Sequence, residues 1–337
     1  MDKKITAIVA VLVIVMLGVA AFVVIGNGSN DSSDQGDDDS GETNDHYPVT
    51  VQSYDDNKNL RDVTFTEKPK RVLVMWSSTV EVMVHFGLTE YIAGAVADPD
   101  DTLGMEGHYA EYKKVNFLGE TPDMEKARAL DPDFVIGWSS TFAAPGEWSI
   151  GTHEFWNNLG VNTYVFNSPN KDMDDYYGHI ADIGKIFDCE DKTNASIDQM
   201  KGDTKKIGDL TKDLNDDQRK TFLTVQYGPK GPICVYGDES IPGGLGELAG
   251  GINLLEGKSN WSPDLEKIRD WNPDVIFIQI GDFSYFDSHE AAVESFKNQP
   301  GMAGLTSEFN VYEFNQIYQA SLIDPNTIQS MYETMYE

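Results

Sequence analysis

Residues 121–136 (TPDMEKARALDPDFVI) recur 141 residues later as residues 262–277 (SPDLEKIRDWNPDVIF), with seven of the 16 positions identical. A helix–stop–strand unit used twice at that distance predicts two similar lobes, not a solenoid of many short repeats. Each copy opens on Thr or Ser as a helix cap, with Pro in the first helical position, where its missing N–H costs nothing. Each helix is stopped by Pro132 or Pro273, and an apolar strand follows. Glu125 and Glu266 occupy matching positions. The 337 residues suffice for two cores.

Short apolar runs around the repeat fix the fold class. Val49–Tyr54 and Val63–Phe65 flank a polar turn and predict a hairpin. Arg71–Trp76 reads as a buried strand followed by a helix that Ser77, Ser78 and Thr79 can cap. Further strands are expected at Tyr91–Val96, Phe134–Trp138, Asn162–Phe166, Thr221–Tyr227, Val275–Ile280 and Asn310–Phe314, with helices between them. That alternation predicts an α/β fold of two Rossmann-like lobes with parallel sheets, residues 47–170 and 219–337. Between them, residues 171–218 carry Ile180, Ile183, Ile186, Phe187, Ile197, Met200, Ile207, Leu210 and Leu214 at spacings of three, four and seven. The stripe predicts a single long connecting α-helix, with a break placed near Cys189–Lys192, and therefore small lobe motions. Gly243–Asn253 reads as a helix ended by glycines.

The N-terminal region has a different character. Ile5–Ile25 contains no charge, and 21 residues make about 30 Å of helix, the thickness of a bilayer core. Lys3 and Lys4 precede this run, so residues 1–26 are expected to be an uncleaved signal anchor with the body outside the cell. Residues 27–46, rich in Asp, Ser, Asn and Gly, read as a disordered acidic tether. Against 56 Asp+Glu the chain has 25 Lys+Arg, a net charge of −31. Nucleic-acid binding is thereby excluded, since phosphate contacts need a basic face. Two cysteines exclude a four-Cys zinc site, while Cys189 and Cys234 could pair as a disulfide. Asn27, Asn30, Asn194 and Asn260 open glycosylation-type triplets, which are common by chance.

Several motifs carry a family resemblance when taken in order: KPKRV (68–72), EVMVHFGL (81–88), YIAGAV (91–96), EKARALDPDFVIGW (125–138), ELAGGINLLEG (247–257), EKIRDWNPDVIFI (266–278) and PGMAGLTSEFNVYEF (300–314). Together they resemble the solute-binding proteins of ABC importers for ferric siderophores, haem and cobalamin, over roughly residues 48–320. The resemblance implies a metal chelate held between two lobes and delivered to a permease dimer with a cytoplasmic ATPase. It also implies that Glu125 and Glu266 dock onto permease arginines. Trp138 and Trp261 fall where ligand-facing tryptophans occur in cobalamin-binding relatives.

Ligands of open α/β sheets sit beyond the carboxyl ends of the strands. The residues expected there are Trp76, Ser77, Trp138, Ser139, Tyr227, Trp261, Phe283 and Tyr318, an aromatic wall suited to a flat, partly apolar chelate. Ser78 and Ser140 are further donors. The strand-end loops hold no Arg, and Lys230 is the nearest cation, which favours a neutral or weakly charged ligand. No separate cofactor is expected. The alternatives are capture of a free zinc or manganese ion, for which His108 and His153 would have to meet Glu106 or Asp98, and a surface adhesion role. An enzyme is not expected, because no nucleophile elbow, Walker A or His-Glu-x-x-His pattern is present and the Gly243–Gly251 stretch lacks the dinucleotide spacing.

Overall fold

The computed structural model describes residues 45–100, 104–144, 146, 148–166, 173–261, 263–280, 286–313, 316 and 320–337. The expected anchor, and the expected tether as far as residue 44, lie outside the described residues. Among the described residues no helix is long and apolar enough to cross a membrane.

The body opens with the expected hairpin, β1 (Val49–Tyr54) paired antiparallel with β2 (Leu60–Phe65). Its turn is built by Asp55, whose carboxylate accepts the N–H groups of Asn57 and Asn59, each at 2.8 Å. Next come β3 (Val72–Met75), α1 (Ser77–His85), β4 (Ile92–Val96), the one-turn α2 (Tyr109–Tyr112), α3 (Met124–Ala129), β5 (Phe134–Gly137), α4 (His153–Asn157) and β6 (Asn162–Val165). These four strands form a parallel sheet in the order β4-β3-β5-β6. After α5 (Met173–Phe187) and α6 (Glu190–Thr211) the chain builds a second sheet. Its elements are β7 (Thr221–Gly228), β8 (Gly231–Tyr236), α7 (Ile241–Leu248), β9 (Ile252–Asn253), α8 (Leu265–Trp271), β10 (Val275–Ile280), α9 (His289–Lys297), β11 (Glu308–Glu313) and the C-terminal α10 (Asp324–Tyr336). The order is β11-β10-β7-β8 with β9 beside β7, and only β8 runs antiparallel.

Both faces of each sheet are covered, which is why the strands read as continuous apolar runs. On β3, Val72 and Val74 face the main core while Leu73 and Met75 face a separate cluster around Trp156. On β10, Val275 and Phe277 face the main core while Ile276 and Ile278 face a cluster containing Phe296. The main core is continuous across both halves. It joins Val72 and Phe134 to Phe222 and Phe277 through Ile183, Met200, Ile207 and Met331.

The repeat is reproduced in atomic detail. In the first copy the Asp123 carboxylate accepts the N–H groups of Glu125 and Lys126; in the second Asp264 accepts that of Glu266. The caps are thus these aspartates, two residues beyond Thr121 and Ser262, because a carboxylate reaches the orphan N–H groups of the first turn. Asp131 and Asn272, 141 residues apart, both adopt a left-handed conformation, with φ of 50° and 42°. The next aspartates tie each strand to its neighbour. Asp133 accepts the N–H of Lys70 and Arg71, and Asp274 accepts the N–H and hydroxyl of Thr221.

One expectation fails. Residues 171–218 do not form one rod. Asp188 (φ 54°) reverses the chain, and α5 and α6 pack side by side as an antiparallel hairpin. Lys201 on α6 therefore reaches back to Asp174 (3.7 Å) and over the Tyr177 ring (4.8 Å) on α5. The break lies beside the expected Cys189–Lys192, but α5 belongs to the first sheet's cover. The 22-residue α6, about 33 Å long, leads into the second sheet and packs on α10 and α7. The two cysteines are free: Cys234 is buried on β8 and Cys189 sits in the hairpin turn, so the disulfide is not formed.

The glycine stretch is a packing device. A Cβ at Gly243 would press into the Gly237 carbonyl oxygen, well inside van der Waals contact. Gly243→Ala is expected to cost about 1–3 kcal/mol, because backbone rather than a yielding side chain stands in the way. A urea unfolding curve with a lowered midpoint and unchanged slope would show it.

Candidate functional site

Adjacent strands deliver the first two aromatic residues together. β3 pairs with β5 through Val72 with Phe134 and Val74 with Ile136, so the residues just past their carboxyl ends emerge side by side. These are Trp76 and Trp138, with ring centroids 5.2 Å apart and planes inclined by 31°. Gly137 lets the chain turn there, since a Cβ would meet the Met75 Cβ and Thr141 Oγ1 at 2.8 Å.

A third ring completes the group. The loop after β5 is held by the buried Phe142 and Ile150, by Ile150 N–H donating to the Thr141 carbonyl (3.0 Å), and by the Ser149 hydroxyl donating to the Ala144 carbonyl (2.8 Å). It returns Trp148 to 5.8 Å from Trp76, at 34°. Trp148 is 49% exposed. Its contribution was missed from sequence, since a lone Trp in an irregular loop carries no periodic signal.

Trp76 lies at the centre of the stack, and its backbone is strained. With φ 77° and ψ 143° it occupies a region reserved almost entirely for glycine. Its carbonyl accepts the first bonds of α1, from Thr79 and Val80, and its indole N–H donates to Thr141 Oγ1 at 3.3 Å. The strand–helix turn is thus bent so as to present a large ring at the sheet edge. Half-buried Ser77 opens α1 beside it, and Ser78 is buried. Ser139 and Ser140 are exposed in the loop behind Trp138.

The second half contributes less than expected. Tyr227 does not line an opening; it is fully buried. Its ring stacks on Phe286 and meets the edge of Phe296, and its hydroxyl is bonded to Ser295 (2.8 Å) and Gln299 (2.9 Å). β7 continues into a hairpin with β8 and is covered by α9, so its last aromatic belongs to the core. Trp261 is 57% exposed and meets Tyr236 edge-on at 6.2 Å. Phe283 and Tyr318 lie outside the described residues. Lys230 is exposed in the β7–β8 turn.

Glu125 and Glu266 are the second residues of α3 and α8 and both are exposed. Each helix precedes a central parallel strand and runs against it, so both carboxylates stand at the carboxyl-end rim of their sheets.

The histidines do not support a metal-capture centre of the expected kind. His153 is buried against Phe142 (4.2 Å), and its Nδ1 is bonded to Thr163 Oγ1 (2.8 Å). Burial, with the Arg61 guanidinium beside it, pushes its pKa down to about 4. His108 instead packs on His85, at 5.1 Å. Among the described residues His108 and His153 share no ligand cluster with Glu106 or Asp98.

The model of the periplasmic binding protein family matches residues 67–307. The chain belongs to that family. Among relatives of this periplasmic binding protein is the "Uncharacterized ABC transporter substrate-binding lipoprotein YvrC" of Bacillus subtilis (strain 168). It is 24% identical over 311 residues, 92% of this chain and 88% of the relative. The petrobactin-binding protein YclQ of the same organism is 27% identical over 267 residues, 77% and 76% of the two chains. A solved periplasmic binding protein from Veillonella parvula DSM 2008 superposes with a TM-score of 0.73 at 21% identity, covering 86% of this chain and 92% of that one.

Proposed function

We propose that this protein is the extracytoplasmic receptor of an ABC importer. It holds a ferric siderophore, a corrinoid or a haem-type chelate and delivers it to a permease dimer driven by a cytoplasmic ATPase. The observation that carries this reading is the tilted stack of Trp138, Trp76 and Trp148 at the carboxyl edge of the first sheet. A strained backbone holding a partly exposed aromatic surface is costly unless that surface has a use. Flat, partly apolar chelates suit such a face through area burial and ring stacking. YvrC, a substrate-binding lipoprotein by name, and YclQ, a petrobactin-binding protein by name, support the same class.

In this reading Trp261 contributes from the second half, Phe283 and Tyr318 are further ligand contacts proposed from their sequence positions alone, and Ser77 and Ser139 supply hydrogen bonds. The α6 helix and the continuous core brace the halves, so closure is small. A net charge of −31 and strand-end loops without Arg favour a neutral or weakly charged ligand. The Ile5–Ile25 run is the membrane anchor, and residues 27–44 the tether; His46, expected in the tether, is instead bonded to the body. YvrC is named a lipoprotein, whereas the first cysteine here is Cys189.

Mass spectrometry of the small molecule that co-purifies from the native host tests the receptor role. A metal chelate supports it, and protein that yields no chelate contradicts it. Docking is tested separately. Glu125→Ala with Glu266→Ala is expected to leave chelate affinity within about twofold and to lower cellular uptake at least about tenfold, because paired charge-assisted contacts to the permease are lost. Uptake equal to wild type would remove both residues from the docking surface.

A further inference from the structure

His46, at the start of the described body, lies against the turn between α5 and α6. Its Nε2–H donates to the Lys185 carbonyl at 2.7 Å, which orients the ring with Nδ1 on the other side. There Nδ1 faces Asp188 Oδ1 at 3.3 Å. Ligand atoms of His46, Asp188 and Glu190 all lie within 4.8 Å of one another. An imidazole nitrogen and two carboxylates gathered around one point form a donor set that a single divalent cation can bridge. A direct imidazolium–carboxylate bond closes to about 2.7–2.9 Å. Two donors held about 2.0–2.1 Å from a tetrahedral ion stand about 3.3–3.4 Å apart, the separation found here.

We propose that His46, Asp188 and Glu190 form a structural site for a zinc-class divalent ion. An imidazole donor disfavours Ca²⁺ and Mg²⁺, which take oxygen ligands. Three protein donors leave a fourth position for water. Cys189, between the two acids in sequence, is not a ligand: its side chain packs on the core and lies outside the cluster.

The site is separate from the chelate site. α5 follows β6 and runs back along the first sheet, so the 188–190 turn lies at the amino edge of the strands. Phe187 there meets Tyr91, which immediately precedes β4, at 5.5 Å. Trp76 and Trp138 stand at the opposite edge. An ion here would clip the first residues of the body onto the turn that reverses the chain.

Full-length protein, at physiological salt with excess Mg²⁺ to occupy scattered surface carboxylates, is titrated with Co²⁺ and then Zn²⁺. The expected result is one equivalent of Co²⁺ with the visible spectrum of a tetrahedral ion, displaced by Zn²⁺. The Tm should rise by several degrees with Zn²⁺. His46→Gln and Asp188→Asn are each expected to weaken the affinity at least about tenfold and to abolish the Tm rise. Glu190→Gln, a near-isosteric change at the half-buried first residue of α6, is expected to weaken it as well. Retention of no ion by wild type, or equal affinity in wild type and Glu190→Gln, would overturn the proposal.

Discussion

Trp76→Ala is expected to weaken binding of the chelate by about 2–3 kcal/mol, roughly a hundredfold in Kd, as for a central aromatic anchor. The ring sits between Trp138 and Trp148, so its loss also frees both neighbours to reorient. Calorimetric titration of wild type and variant with the same chelate gives the comparison. Trp76→Gly separates ring from backbone. It should lose the same affinity, yet unfold at higher urea than Trp76→Ala, by about 1 kcal/mol. Relief of a strained φ of 77° is worth about 1–3 kcal/mol and outweighs the extra chain entropy of glycine, about 0.5–1 kcal/mol. Equal stability of the two variants would mean that the backbone strain has no energetic weight.

Acid is the second lever. His153 and His179 are held neutral by burial, each pushed down to about 4. For His179 the neighbouring Tyr164 hydroxyl is engaged at 2.8 Å while donating to Asp182. The unfolded chain protonates both near 6.5, so their stabilisation is complete above that pH and is lost as pH falls toward 4. At about 1.4 kcal/mol per unit this is about 3 kcal/mol each. Asp324, buried at the start of α10, acts in the opposite sense. Burial pushes it up to about 8, against the hydrogen bonds from Ser321. Its native form keeps a proton that the unfolded chain releases near 3.8, so its contribution is greatest in acid and declines as pH rises through 8. Between pH 6.5 and 4 it returns about 3 kcal/mol. Over that interval Asp324→Asn should therefore lose about 3 kcal/mol more than wild type, while above pH 8 the variant should be the more stable. Urea unfolding at a series of pH values measures both; parallel curves for the two proteins would refute the assignment.

The sequence and the structure agree where local chemistry decides the outcome. The two-copy motif carried its own stops, and the structure places left-handed residues and strand-anchoring aspartates at matched positions in both copies. The β1–β2 hairpin was legible from its polar turn. The 171–218 segment was legible only as a stripe, because periodicity identifies the face a helix buries and not its direction. One left-handed residue, Asp188, makes a hairpin of what reads as a rod. Trp76 and Trp138 were found because both follow apolar runs that end at the sheet's carboxyl edge. Tyr227 follows a similar run, but its strand continues into β8, and a helix covers the end. Trp148 could be placed only by the tertiary contacts of its loop.

The receptor reading is tested most directly by tryptophan fluorescence of the full-length protein titrated with cobalamin, haem and ferric hydroxamates. One of these should quench emission saturably at a 1:1 ratio, and Trp138→Ala should remove most of the change. Unaltered emission with every chelate, in a protein that binds one equivalent of free zinc or manganese at the aromatic edge, would contradict it.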